Sequence, residues 1–297
     1  MNHAQPTAIR RADYAKPDYR IETVALEFDL GPDSTRVKSR LSVSATYDRE
    51  QGVRPLVLDG EEIKLVSVAV DGRALAIGEY DIDPAHLTIR SLPESFTLEI
   101  ETDINPAANT QLTGLFISNN VFCTQCEAQG FRRITYFLDR PDVMAIYRTT
   151  IRADRAAYPV LLSNGNLVDS GDLPNGRHFA VWDDPFPKPA YLFALVAGDL
   201  AVNEDSFVTR SGRNVKLRIF VEHGKAARSA YAMDSLKRSM KWDEDRFGLE
   251  YDLDLFNIVA VSDFNMGAME NKSLNVFNSK YILAEPDTAT DGDYAGI

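Results

Sequence analysis

The stretch TVALEFDL, residues 23–30, places Val24, Leu26, Phe28 and Leu30 at every second position. Successive side chains of a strand point to opposite faces, so a period of two specifies a strand with one buried face. The same period returns in RLSVSATY (40–47) through Leu41, Val43, Ala45 and Tyr47, and in SFTLEIETDI (95–104) through Phe96, Leu98 and Ile100. Turn residues separate the runs. Gly31-Pro32-Asp33 is one such group; Asp71-Gly72 and Asn119-Asn120 suit the left-handed backbone of tight hairpins. The first two hundred residues therefore read as antiparallel sheet, and short strands without intervening helices predict a β-sandwich or saddle.

Farther along, prolines 185, 187 and 189 mark a loop before an apolar strand expected from Tyr191 to Val196. The texture then changes, which divides the chain into an N-terminal β domain over 1–199 and a second unit over 200–297. In the second unit NVKLRIFVE (214–222) alternates as a strand. Residues 225–247 carry helical spacing through Met233, Leu236, Met240 and Phe247, with Gly248 placed as the C-terminal stop. Strands return in LFNIVAV and LNVFNSKYILAE, so the unit is α+β. The closing TATDGDYAGI reads as a capped helix start. A unit with these elements and none to close it reads as incomplete, so Ile297 is expected to be a boundary inside a longer protein.

The 297 residues are 44% hydrophobic and 26% charged, enough apolar material for a substantial core and a prior of two domains. The net charge of -12 comes without a basic stripe, which argues against nucleic acid or an acidic membrane leaflet as partner and is compatible with cationic ligands. The opening residues lack the apolar run of a secretory leader, and no stretch approaches the roughly 18 apolar residues of a membrane span. A cytoplasmic protein is expected. Its two cysteines, Cys123 and Cys126, form a formal C-x-x-C, but there is no second pair and strand positions three apart face opposite ways. Two buried free thiols are expected. His3, His86, His178 and His223 have no metal-ligand spacing and read as structural or exposed. Asp139, Arg140, Asp142 and the run 241–246 read as structural or solvated charges.

The segment NMGAMEN, residues 265–271, carries the most chemistry. Gly267 and Ala268 are small enough to let a ligand backbone pair along a strand edge, and Glu270 puts a carboxylate two residues on. The residues alone leave open an ordinary loop with a surface glutamate. The same segment resembles the G-x-M-E-N exopeptidase signature of the zinc aminopeptidase N family. Further segments are similar to that family in the same order: TQCEAQGFRRITYFLDRPDVMA (124–145), LLSNGN (161–166), DPFPKPAYLFALVAGDL (184–200) and SMKWDEDRFGLEYDLD (239–254).

The resemblance implies a mainly β fold, an antiparallel sandwich or saddle followed by the truncated start of a thermolysin-like catalytic domain. It implies that Glu270 and Glu127 bind the N-terminal ammonium of a peptide, with Gln125 lining the amine pocket. Gly267 and Ala268 match backbone-binding positions, and Met266 a flexible thioether wall for the first side chain. Gln129 departs from the pattern, standing where the family carries a second acid. The implied cofactor is zinc, held in the full-length protein by H-E-x-x-H and a distal glutamate. No two histidines of this chain have that spacing, so the ligands, the general base and the oxyanion-stabilising tyrosine are expected outside it, and no catalytic residue within it. The expected function is therefore the substrate-amine recognition part of an aminopeptidase acting on peptides with a free N-terminus, inactive alone. The full-length protein is expected to be a monomer, whereas the isolated piece should expose apolar surface and self-associate. The alternative is a noncatalytic peptide-binding protein on the same scaffold, and a third reading is a carbohydrate-binding or adhesion sandwich.

Overall fold

The computed structural model describes residues 10–297; His3 lies outside the described residues. The alternating runs become neighbours in one eight-stranded sheet. Its order is Asn166–Leu173, Arg177–Lys188, Ala145–Asp154, Tyr19–Asp29, Thr35–Ala45, Ser95–Ile104, Lys64–Val70 and Arg73–Ala74. Val24 stands opposite Leu41, which stands opposite Leu98, and Val43 opposite Phe96, so the inward residues form rows across three strands. All of these are buried. Ala45 and Tyr47, at the frayed end of their run, are only partly covered. One neighbouring pair departs from the antiparallel expectation. Tyr19–Asp29 and Ala145–Asp154 run parallel, joined through the whole intervening chain. Side-chain alternation is the same in either direction, so the period could not reveal strand polarity.

A four-stranded sheet follows the order Val160–Ser163, Leu195–Gly198, Val121–Gln125 and Gly114–Ser118. Asn119 and Asn120 close its hairpin with φ of 46° and 63°, as their residue types predict. The strand expected from Tyr191 is instead a 3-10 turn over Ala190–Leu192, and the strand begins at Leu195. Phe193 and Ala194 are as buried as the strand itself, so apolarity did not separate turn from strand. Pro189 starts the turn, its carbonyl accepting from Leu192 N at 3.2 Å.

Farther along the chain a five-stranded sheet forms in the order Ala201–Val208, Asn214–Val221, Leu255–Val261, Leu274–Asn278 and Ala268–Met269. Its three central strands are parallel. The helix Ala230–Phe247, α1, makes the first crossover. Val215, Leu217, Ile219, Ile258 and Ala260 pack with Met233 and Met240 of α1. Phe220, Val259, Val261, Leu274 and Val276 face the other way and merge with the N-terminal core. A parallel sheet buried on both faces reads as a continuous apolar run, which is the texture of LFNIVAV. The helix stripe is narrower than its spacing suggests: Leu236 is half-buried and Phe247 is exposed, its ring 5.2 Å from that of Trp242. Gly248 does stop α1, at φ 68° with its N–H on Glu244 O at 3.1 Å. The final helix, α2 (Asp291–Gly296), starts with a reciprocal box between Thr290 and Asp293. Among the described residues no helix is long and apolar enough to cross a membrane.

An ion pair is buried in this scaffold. Lys188 Nζ lies 3.0 Å from Asp184 Oδ2 and 3.8 Å from the centre of the Tyr147 ring, with both charged side chains sealed from solvent. Neither atom makes a well-directed hydrogen bond. Burial pulls the Lys188 ammonium down to about 8 despite its aspartate. An unfolded lysine keeps its proton until about pH 10.5, so between these values the unfolded chain binds more protons and folding becomes more favourable as pH rises. Urea unfolding from pH 8 to pH 10 should therefore show a stability gain of at most about 3 kcal/mol attributable to this group. A Lys188→Met variant should lack that gain, and an identical slope in both proteins would remove the assignment.

Candidate functional site

Gln125 ends a central strand of the four-stranded sheet and is buried, at 1% exposure. Its Nε2 lies 3.0 Å from Met266 Sδ, and its Oε1 has no partner among the described residues. Beyond it the chain turns tightly. Gly130 N donates to Cys126 O at 2.8 Å, and the Glu127–Ala128 peptide is cis. A Cβ at Gly130 would stand 2.4 Å from Gln125 O, so glycine closes this turn where another residue would clash with backbone. Phe131 roots the far side, fully buried with its ring 4.9 Å from Phe137 and 5.3 Å from Phe193. The turn is thereby held at both ends while Glu127, Ala128 and Gln129 at its tip are exposed.

The second half of the site comes from residues 262–274. Met266 and Gly267 are exposed and lead into Ala268–Met269, the outermost strand of the five-stranded sheet. Ala268 pairs with Phe277 and Met269 with Val276, and Asn278 N donates to Gly267 O at 2.9 Å. The opposite edge has no strand partner among the described residues, so it can accept an extended backbone. A Cβ at Gly267 would meet only the Tyr281 ring, at an ordinary 3.5 Å, so internal packing does not demand glycine there. Met269 points inward and Glu270, next in line, is exposed.

Polar contacts stitch the two halves. Ser118 Oγ donates to Asp263 Oδ2 at 3.0 Å and accepts from Asp263 N at 3.1 Å. Glu222 Oε1 accepts from Asn119 Nδ2 at 3.0 Å and Ser262 Oγ at 2.7 Å. Its carboxyl is drawn down to about 2, first by Lys225 and then by these two donors. Asn265 Nδ2 reaches Leu112 O at 3.3 Å. The structure thus brings Gln125 and Met266 into contact, with Gly267 and Ala268 on the same strand edge. Glu127 and Glu270 stand exposed on the two joined segments, and among the described residues neither makes a hydrogen bond or ion pair. Their carboxylates are not already neutralised by the protein.

Other candidates resolve as structural. Cys123 and Cys126 are fully buried and unpaired. Burial pushes the Cys123 thiol up to about 12 and the Cys126 thiol well above its ordinary range. His178 Nε2 lies 2.8 Å from Tyr158 O, His223 beside Asp199 and His86 beside Asp83. Asp139 is buried against Arg132 at 3.0 Å, and Arg140 pairs with Asp142 at 2.8 Å. Sequence reasoning missed the residues that tie the halves, Ser118, Asp263, Asn164 and Ser273. Asn164 lies in the quoted LLSNGN, where Asn-Gly signals a turn but says nothing of the turn's distant contact.

Residues 16–192 match the model of the peptidase M1 N-terminal domain, and residues 231–297 that of the peptidase family M1 domain. The chain belongs to the M1 peptidase family. It is 60% identical to aminopeptidase N of Caulobacter vibrioides over 297 residues, 100% of this chain and 34% of the relative. It is 56% identical to aminopeptidase N of Escherichia coli over 293 residues, 99% of this chain and 33% of the relative. The crystal structure of Legionella pneumophila aminopeptidase A in complex with aspartic acid matches with a TM-score of 0.91 at 37% identity, over 96% of this chain and 34% of that one. This M1 chain therefore spans about a third of the length of these relatives. The zinc ion that the family implies does not fit the residues present: among the described residues no three His, Cys, Asp or Glu side chains converge as a metal site.

Protonated, sealed thiols resist alkylation. Iodoacetamide at pH 8 should leave both cysteines unmodified in the folded protein and label both in urea, read by intact mass; rapid labelling of the native protein would contradict their burial.

Proposed function

We propose that this chain supplies the substrate-amine recognition part of a zinc-dependent aminopeptidase that removes N-terminal residues from peptides. What supports the reading is the Gln125–Met266 contact, which ties the segment carrying Glu127 to the segment carrying Glu270. Two unneutralised carboxylates suit one ammonium, because charge-assisted hydrogen bonds are short, strong and directional. A peptide lacking that charge would bind with both acids unpaired, which disfavours internal segments and makes the enzyme an exopeptidase. Met266, half of whose surface is open, provides an adaptable wall for the first side chain, and the free edge of Ala268–Met269 takes the substrate backbone.

Zinc and its ligands belong, in this reading, to sequence outside the chain, and the chain alone is inactive. The division into an N-terminal unit over 1–199 and a catalytic-domain start over 200–297 is part of the same proposal. So are a cytoplasmic location, which suits two unpaired thiols, a monomeric full-length enzyme, and self-association of the isolated piece through exposed Trp242, Phe247 and Leu249.

In the full-length protein, Glu127→Gln and Glu270→Gln should each raise KM for a free-amine dipeptide by about 10- to 100-fold, the range for losing a hydrogen bond to a charged group. An N-acetylated dipeptide should be turned over by none of the three proteins. Unchanged KM in both variants would refute amine recognition here.

A further inference from the structure

We propose that Asn164 is a positioning residue for the amine-binding hairpin, holding the turn that follows Glu270; this rests on the reading of Glu270 given above. The hairpin needs such a support. Its outer strand is two residues long, with only Ala268 opposite Phe277 and Met269 opposite Val276, too short a ladder to set the direction of the next residue. Glu270 comes directly after that strand, and among the described residues its side chain makes no hydrogen bond or ion pair that would orient it.

The support comes from the other half of the molecule. Asn164 lies in the loop after Val160–Ser163 and is 3% exposed. Its Nδ2 donates to Lys272 O at 2.8 Å and to Leu192 O at 3.0 Å, and its Oδ1 accepts from Ala194 N at 2.8 Å. The amide is thus fixed by the N-terminal unit on two sides and holds the hairpin turn on the third. Next to it, Gly165 N donates to Ser273 Oγ at 2.6 Å. Gly165 has φ +89°, and a Cβ there would meet Asp183 O at 2.1 Å, so the close approach of the two backbones requires glycine. Ser273 is buried and itself left-handed, at φ 59°, a conformation that the clamp maintains. Asn257 N holds Ser273 O at 2.8 Å from within the sheet, which secures the inner end of the turn. The outer end, two residues from Glu270, depends on Asn164. Further ties there are local or weak. Lys272 Nζ pairs with Asp252 at 2.6 Å in a half-exposed ion pair of small worth and lies 4.7 Å from the Phe186 ring centre. Buried Asn271 bonds only within the hairpin, to Met269 O at 3.4 Å and from Leu274 N at 3.3 Å.

The consequence is specific: Asn164 acts on substrate binding through the position of Glu270. A double-mutant cycle in the full-length protein reads this directly. Asn164→Ala should raise KM for a free-amine dipeptide roughly tenfold, the loss of one to two hydrogen bonds, with kcat changed less. In a Glu270→Gln background the same substitution should add less than about twofold. Ser273→Ala removes the contacts of Ser273 Oγ with Gly165 and Tyr251, keeps the Asn164 bonds and should raise KM by a smaller factor; it carries the cycle where Asn164→Ala fails to fold. Equal KM factors in both backgrounds, or a lowered Tm with KM unchanged, would overturn the proposal. Glu270→Gln without any KM effect would instead refute the amine-recognition reading on which it stands.

Discussion

The apolar seam that the five-stranded sheet shares with the N-terminal sheets is the constraint from which the rest follows. Val259, Val261, Leu274 and Val276 turn one face of the five-stranded sheet into the N-terminal core, while α1 covers the other face. Burial of this kind is nondirectional and scales with area, so it brings the units together without specifying the site at their rim. The rim is specified by polar contacts, Ser118 with Asp263, Asn119 and Ser262 with Glu222, Gln125 with Met266, and Asn164 with Lys272. Directional bonds at the edge of a dry seam are well suited to fixing two segments that share no strand pairing.

The proposed function makes the division of labour intelligible. Glu127 sits on a turn held by Gln125, Gly130 and Phe131 of one unit, and Glu270 on a hairpin built from the other. Each is presented outward by backbone that its own unit, or a clamp from the neighbour, holds in place. Carboxylates carried on backbone already held in place leave less to reorganise when a charged ligand binds, which favours affinity through preorganisation. The buried Lys188–Asp184 pair lies in the same region of the N-terminal sheet, close enough to Lys272 for that charge to lower the Lys188 ammonium further.

Much of the fold was legible in the residues. The period of two identified the inward rows of Val24, Leu41 and Leu98, and the Asn-Asn, Asp-Gly and Gly248 positions took the left-handed conformations that their chemistry favours. Failures have a common physical origin. The apolar segment Tyr191–Val196 and the position Phe247 carry hydrophobicity without its environment, and a run buried on all sides loses the period that separates strand from turn. The parallel pairing of Tyr19–Asp29 with Ala145–Asp154 was equally invisible, since pleat alternation has no direction.

The amino-acid sequence by itself determined most of the strands, the tight turns between them, where α1 stops, and which segment resembles the family's G-x-M-E-N signature, because these depend on local backbone preference and side-chain type. Tertiary structure alone decided that Gln125 touches Met266 across 141 positions of chain, that Asn164 and Gly165 grip Lys272 and Ser273 across 108, and that the edge of Ala268–Met269 stays open. Such contacts arise when nonlocal burial closes long loops, and no local pattern records which distant partners that closure selects.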